Sequence, residues 1–318
     1  MNIVVLDGHT LNPGDNPWDD VAKLGALTVH DRTPADQIIA RAKDAEIVLT
    51  NKTPLGAGTI AALPKLRFIS VLATGYNIVD TQAAAERGIV VSNVPVYGTD
   101  TVAEFVLSLI LDFVKQPALH SGLVKAGQWT SCPDFCFWRN PNFRELAGKT
   151  IGIVGFGRIG QRVGELAHAF RMKVLAKDNW HGAKVAYPFE WRELDELFAE
   201  SDFISLHCPL TPESNGMVNS RLLARMRETA FLVNTARGPL VNEADLAEAL
   251  DNGVLAGAAC DVVSVEPIRP DNPLLRAKNI TITPHIAWAA REARQRLMRT
   301  VAENIAAFQA GKPQNVVK

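Results

Sequence analysis

The sequence predicts an α/β chain built from two doubly wound parallel-sheet domains, and three observations predict it. Residues 1–98 alternate short apolar runs with helix-like segments, the same rhythm resumes at Thr150 and runs to Ile282, and a glycine-rich turn opens that second stretch in mid-chain. Alternation of strand and helix implies parallel sheets with crossover helices. With 318 residues, 47% of them hydrophobic, the chain is long enough for two cores at about 150 residues per domain.

In the first stretch the candidate strands are Ile3–Leu6, Thr28–His30, Ile47–Thr50, Phe68–Leu72 and Ile89–Ser92. Helical patterns fall between them near Asp19–Leu24, Pro34–Ala42, Gly58–Leu63 and Asp80–Arg87. After Pro95 a long helix is expected over Asp100–Val114, with Thr99 or Asp100 able to cap it and apolar residues on most faces, which predicts burial at a subunit or domain contact. Trp129–Phe143 (WTSCPDFCFWRNPNF) has no periodicity, and an aromatic loop of this kind packs onto a partner surface or lines a pocket. Further strands follow at Ile151–Val154, Lys173–Ala176, Phe203–Leu206, Phe231–Asn234, Leu255–Ala259 and Ile280–Ile282. A final helix, Glu292–Ala310, is expected with no strand after it. Its neighbouring arginines, Arg291, Arg294, Arg296 and Arg299, read as a solvated face.

Composition excludes several classes. Thirty-three Lys and Arg against 34 Asp and Glu give a net charge of -1, so no basic field is available to bind nucleic acid. MNIVVLDG has no basic leader region and reads as a strand, and no apolar run approaches the ~18 residues of a membrane span. Cys132, Cys136, Cys208 and Cys260 form no paired C-x-x-C arrangement. No metal site is expected, and the cysteines read as reduced thiols in a cytoplasmic protein.

The mid-chain turn is Thr150–Gly160, TIGIVGFGRIG. Gly155, Gly157 and Gly160 have the G-x-G-x-x-G spacing that turns a strand into a helix at a dinucleotide pyrophosphate in Rossmann-like sheets: the first for the tight turn, the second for backbone approach, the third for close packing. Amides around Arg158 and Ile159 would face the anion. Asp178 closes the next strand, about 20 residues on, where a carboxylate accepts hydrogen bonds from an adenosine ribose. That carboxylate repels a 2′-phosphate and favours NAD over NADP, although Lys177 beside it offers partial compensation.

Three landmarks follow the last strands: Asn234-Thr235-Ala236-Arg237-Gly238, then Asp261 through Glu266-Pro267, then Thr283-Pro284-His285-Ile286-Ala287-Trp288. With the glycine turn they resemble the D-isomer-specific 2-hydroxyacid dehydrogenase family across essentially the whole chain. Thr50–Leu55 (TNKTPL), Ala73–Asn77 (ATGYN), Leu206–Pro212 (LHCPLTP) and the Trp129–Trp138 loop are most similar to its glycerate dehydrogenase, or hydroxypyruvate reductase, group.

The resemblance implies a discontinuous substrate (catalytic) domain, residues 1–98 and 289–318, around a dinucleotide-binding Rossmann domain, residues 99–288, with the active site in the cleft between them. It implies hydride transfer between NAD(H) and a small 2-keto or D-2-hydroxy acid such as hydroxypyruvate or glyoxylate, and a homodimer. Arg237 would hold the substrate carboxylate and polarise the carbonyl, because a guanidinium offers a planar fork of donors. His285 would be the acid/base, with Glu266 as the partner that favours its protonated form. Asp261 would meet the nicotinamide amide or brace the site. Thr74 and Gly75 would offer backbone amides to the carboxylate. Lys52 is a third cation for it, or a solvated loop lysine. Trp288 walls the pocket or simply packs, and Trp138 would reach the neighbouring subunit's site. Cofactor contacts are expected along Cys208, Pro209, Thr235 and Ala236, with no chemistry required of the His207 and Cys208 side chains. One departure is Arg171, where relatives usually carry a small residue. Two other readings of the same motifs are an NADH-sensing regulatory protein and a dehydrogenase for phosphoglycerate or a bulkier 2-keto acid.

Overall fold

The computed structural model describes residues 1–317, so Lys318, the last residue of the expected substrate domain, lies outside it. The chain divides into two compact units, Met1–Gly98 together with the chain from Trp288 onward, and Thr99–Ala287.

In the first unit, strands β1 (Asn2–Val5), β2 (Ala26–Val29), β3 (Ile47–Thr50), β4 (Phe68–Val71) and β5 (Val90–Ser92) form a parallel sheet in the order β2-β1-β3-β4-β5. Helices α1 (Asp19–Ala22), α2 (Ile38–Ala42), α3 (Ala57–Ala61) and α4 (Thr81–Glu86) are the crossovers. β3 and β4 are buried along their whole length, which is why they read as unbroken apolar runs rather than alternating ones. Val4, Val48 and Ile69 meet α2–α4 through Ile38, Ala42, Ile60 and Ala84. On the other face Ile3, Val5, Leu49 and Phe68 meet Val21 and the C-terminal helix Arg291–Gln309 through Leu297, Met298, Val301 and Ile305.

One expectation for this unit is corrected. The arginine cluster is not a uniformly solvated face: Arg294 is buried and makes a bidentate pair with Asp15, Nη1–Oδ1 at 2.5 Å and Nη2–Oδ2 at 2.7 Å, while Arg296 Nε donates to the Tyr97 carbonyl. The partners lie at the far end of the sequence, so helical periodicity carries no sign of them. Past the last helix a single residue, Val316, bridges Ser92 antiparallel, outside any strand.

The second unit begins with α5 (Thr99–Lys115) and α6 (Pro117–Lys125). Its seven strands are β6 (Thr150–Val154), β7 (Lys173–Lys177), β8 (Glu190–Trp191), β9 (Phe203–Leu206), β10 (Phe231–Asn234), β11 (Gly257–Cys260) and β12 (Ile280–Ile282), parallel in the order β12-β11-β10-β9-β6-β7-β8. α7 (Arg158–Ala169), α8 (Leu194–Glu200), α9 (Ser220–Leu223) and α10 (Glu243–Asp251) complete it. Ile151, Ile153, Val174, Phe203, Phe231 and Val233 pack with α5 and α7, and Leu175, Ile204, Leu206 and Leu232 with α8, α9 and α10. The apolar residues of α5, from Ala103 to Val114, are spent on this unit's own core.

Arg171 adopts φ of 60° just after α7, a left-handed position that glycine fills at lowest cost. Its amide donates to His168 O and its carbonyl accepts from Gly148 N. This geometry is the physical reason a small residue is favoured there.

Candidate active site

The strand order reverses direction between β6 and β9, the place in an open α/β sheet where ligands bind, outside the carboxyl ends of the strands. Gly155 ends β6 there with φ of 93°, and a Cβ on it would lie 2.3 Å from the amide nitrogen of Cys208, after β9. A Cβ on Gly160 would lie 2.1 Å from the Gly155 carbonyl oxygen, whereas one on Gly157 would meet nothing within 4 Å. The first and third glycines are thus required by the protein's own packing, and the second keeps an open face. Behind it α7 begins without a side-chain cap and without an acid in its first turn, so its dipole and the amides from Arg158 and Ile159 are available to an anion.

Asp178 is fixed at the end of β7. Its Oδ2 accepts the Phe156 amide at 2.6 Å and its Oδ1 the Trp180 amide at 3.0 Å. Lys177 points its ammonium to Glu193, 2.7 Å away. Beyond β9, His207 Nε2 lies 2.8 Å from Ser205 Oγ, and loss of water around the imidazole pushes its pKa down to about 3. Desolvation pushes the Cys208 thiol up to about 11. Neither side chain exchanges protons at neutral pH, and the exposed Pro209 follows them. At the end of β10 the Thr235 hydroxyl is buried with no hydrogen-bond partner among the described residues. An anion-ready helix start, an open glycine, a fixed ribose-side carboxylate and an orphaned hydroxyl fit a dinucleotide lying along the strand ends. Among the described residues no group of three or more His, Cys, Asp or Glu side chains could hold a metal ion.

The next three strand ends carry the polar chemistry. Buried Asn234 shapes the turn after β10, accepting the Ala236 amide on Oδ1 (3.1 Å) and donating Nδ2 to the Arg237 carbonyl (2.9 Å). The Arg237 guanidinium is exposed, donates to the Ala236 carbonyl, and pairs with no carboxylate among the described residues. Asp261, 1% exposed, follows β11. Its carboxylate accepts the Thr283 hydroxyl (2.6 Å), the Ile286 amide (2.9 Å) and the Ala287 amide (2.8 Å), while its carbonyl accepts the His285 amide (2.7 Å). Of the two roles expected for Asp261, bracing is the one visible in these bonds. The brace holds His285 at φ of 55°, a conformation that costs about 1–3 kcal/mol outside glycine and persists only where the surroundings enforce it. His285 Nδ1 lies 2.7 Å from Glu266 Oε2, each side chain 31% exposed. With Nδ1 engaged, Nε2 is the nitrogen left for proton exchange.

In the first unit, Asp7 sits just beyond β1 and gathers the loop that carries Lys52. Its carboxylate accepts the amides of Asn51 (2.8 Å), Lys52 (2.6 Å) and Thr53 (2.7 Å) and the Thr53 hydroxyl (3.0 Å). The Lys52 side chain is exposed and forms no ion pair among the described residues. Thr74 donates its hydroxyl to Val94 O and accepts from Asn93 Nδ2, while the amides of Thr74 and Gly75 find no internal acceptor among the described residues. Trp288 packs edge-on to Tyr97, ring centroids 6.3 Å apart. In the second unit Trp138 is 64% exposed. Asp7 has no place in the sequence reading, and Asn234 and Thr283 enter it as motif members without the bracing roles they take here. Each acts on backbone or on a partner that only the fold brings near, and no local spacing announces that.

Residues 107–287 match the family model described as "D-isomer specific 2-hydroxyacid dehydrogenase, NAD binding domain". The chain is 48% identical over 321 residues to a hydroxypyruvate reductase of Blautia hydrogenotrophica, covering 100% of this chain and 99% of that one. It is 40% identical over 286 residues to a glycerate dehydrogenase of Methylorubrum extorquens, covering 89% and 88%. Among solved structures, an acyclic imino acid reductase in complex with NADPH and D-Arg matches with a TM-score of 0.85 at 30% identity, covering 100% of both chains.

Proposed function

Because the chain belongs to the D-isomer-specific 2-hydroxyacid dehydrogenase family, we propose that this NAD-dependent oxidoreductase interconverts a small 2-keto acid, hydroxypyruvate or glyoxylate, and the corresponding hydroxy acid. The observation that carries the reading is the 2.7 Å contact between His285 Nδ1 and Glu266 Oε2 on a loop fixed by Asp261. NADH, when bound, supplies the hydride for the carbonyl carbon. Arg237, its guanidinium uncommitted to any carboxylate among the described residues, holds the substrate carboxylate and polarises the carbonyl. His285 delivers the proton from Nε2 to the carbonyl oxygen, and Glu266 stabilises the charged imidazole that gives it. By the family resemblance, Thr74, Gly75 and Lys52 are assigned as further donors to the carboxylate, and Trp138 and Trp288 as walls of its pocket.

Gly155, Gly157, Arg158, Ile159 and Gly160 would hold the pyrophosphate, Asp178 the ribose, and Cys208, Pro209, Thr235 and Ala236 the remainder of the dinucleotide. NADH is the preferred cofactor in this reading. Asp178 repels a 2′-phosphate, and Lys177, the one cation beside it in sequence, is drawn off by Glu193. Trp129, Phe135, Trp138 and Phe143, all more than half exposed, supply the apolar surface of a homodimer, which light scattering at micromolar concentration checks. The setting is the cytoplasm, in keeping with four free thiols.

The test follows loss of NADH absorbance with hydroxypyruvate, glyoxylate, pyruvate and a branched 2-keto acid, each repeated with NADPH. Fast NADH-linked turnover of either of the first two is expected. Tight NADH binding with no turnover of any acid would overturn the reading.

A further inference from the structure

We propose that Glu243 is the positioning residue of the acid–base pair, its single carboxylate closing the loop that presents Glu266 to His285. The proposal rests on the assignment of that pair in the preceding section.

After Asp261 the chain leaves the sheet and returns at the short 3-10 turn Pro273–Leu275. Glu266 lies on this excursion, two residues beyond Ser264. Glu243 Oε1 accepts the Ser264 amide at 2.7 Å, and Oε2 accepts both the Ser264 hydroxyl at 2.6 Å and Asn272 Nδ2 at 2.9 Å. Asn272 in turn accepts the Leu274 amide at 3.0 Å and so starts the 3-10 turn. One carboxylate therefore ties the outgoing and returning ends of the loop together, with Glu266 between them.

The same loop is seated on the Arg237 turn. A Cβ on Gly238 would fall 1.9 Å from the Val263 carbonyl carbon and 2.5 Å from the Ser264 amide nitrogen, so only glycine lets the two backbones touch. Ser264, clamped by Glu243, is thereby the point at which the positions of Arg237 and Glu266 are set against each other.

The bland role for an acid in this place is to cap α10. Asn242 already does that, its side chain accepting the Ala244 and Asp245 amides, and Glu243 spends its oxygens on the loop instead. Charged groups bonded near the pair include Asp261, which takes the amides of His285, Ile286 and Ala287, and Glu243, which holds Ser264 two residues before Glu266. Arg237 is on the adjoining turn.

The test uses the full-length enzyme. In Glu243→Gln an amide replaces an acceptor-only group that serves three donors, so kcat is expected to fall about 10–100-fold, the size of effect a small misplacement produces. NADH affinity, read by fluorescence titration, is expected to stay put, and the pH profile of kcat/KM to shift or broaden. Ser264→Ala should show a smaller loss, and Ser264→Thr, which keeps the hydroxyl, should recover most of it. In a Glu266→Gln background Glu243→Gln should cost little more. A Glu243→Gln enzyme with lowered Tm but wild-type kcat and pH profile would overturn the proposal, as would an undiminished effect in the Glu266→Gln background. Should Glu243→Gln fail to fold, a Ser264→Ala enzyme with wild-type kinetics overturns it equally. Normal turnover of Glu266→Gln and His285→Ala would instead bring down the assignment of the pair.

Discussion

The glycine turn after β6 and the loops after β11 and β12 lie at the same edge of one sheet, yet they are built by opposite means. The turn is made of backbone: its shape follows from two glycines that the packing requires and a third whose face is left open. The loops are made of carboxylates: Asp261 and Glu243 together accept seven hydrogen bonds by side chain or carbonyl, and these hold a strained histidine and its acid partner. A phosphate site needs open amides, which backbone alone provides. A proton-transfer site needs two side chains at a fixed distance, which demands side-chain scaffolding from outside the loop.

The contrast breaks first at Gly155. With φ of 93° and a would-be Cβ 2.3 Å from a neighbouring amide, Gly155→Ala should lose about 2–6 kcal/mol of stability, visible as a collapse in Tm. Gly157→Ala should leave Tm within about 0.5 kcal/mol-equivalent of wild type while weakening NADH binding by roughly tenfold or more. Equal behaviour of the two variants would erase the distinction. On the carboxylate side, His285→Ala should lower kcat by ~10²–10⁴ with NADH affinity retained, and near-normal turnover would remove it as the acid.

A third, smaller effect is read in pH. His207 packs against the turn with a pKa near 3, below the ~6.5 of an unfolded chain. The unfolded state therefore binds the extra proton between those values. The stabilisation is complete above about pH 6.5 and is lost as pH falls, at up to about 1.4 kcal/mol per unit. Urea titrations should show this acid limb flattened in His207→Gln. The smallest effect is at Arg171, where relief of the left-handed conformation in Arg171→Gly should raise stability by roughly 0.5–1 kcal/mol.

The same contrast governs what the sequence revealed. β3, β9, β10 and β12 could be delimited to the residue, because short apolar runs bounded by turn residues are local signals. β8 is two residues long and leaves no period to detect, and α6, α8, α9 and α10 are helices of four to nine residues, too short for a clear helical period. The glycine turn was legible as a spacing. Arg237, Glu266 and His285 stood out because the motifs after the last strands resemble those of the family. Their supports did not: Glu243 reaches Ser264 across 21 residues and Asp15 reaches Arg294 across 279, distances at which a one-dimensional pattern carries no information about pairing.

Asp7 has a consequence for how readily this enzyme family member could be re-tuned. Its carboxylate grips residues 51–53 almost entirely through main-chain amides, so the shape of that loop is independent of which side chain projects at position 52. Substitutions there should exchange the projecting group without disturbing the loop beneath it. If the proposed role of Lys52 toward the substrate carboxylate holds, that position is a natural first one for a selection library aimed at new 2-keto acids, with a supporting frame already in place.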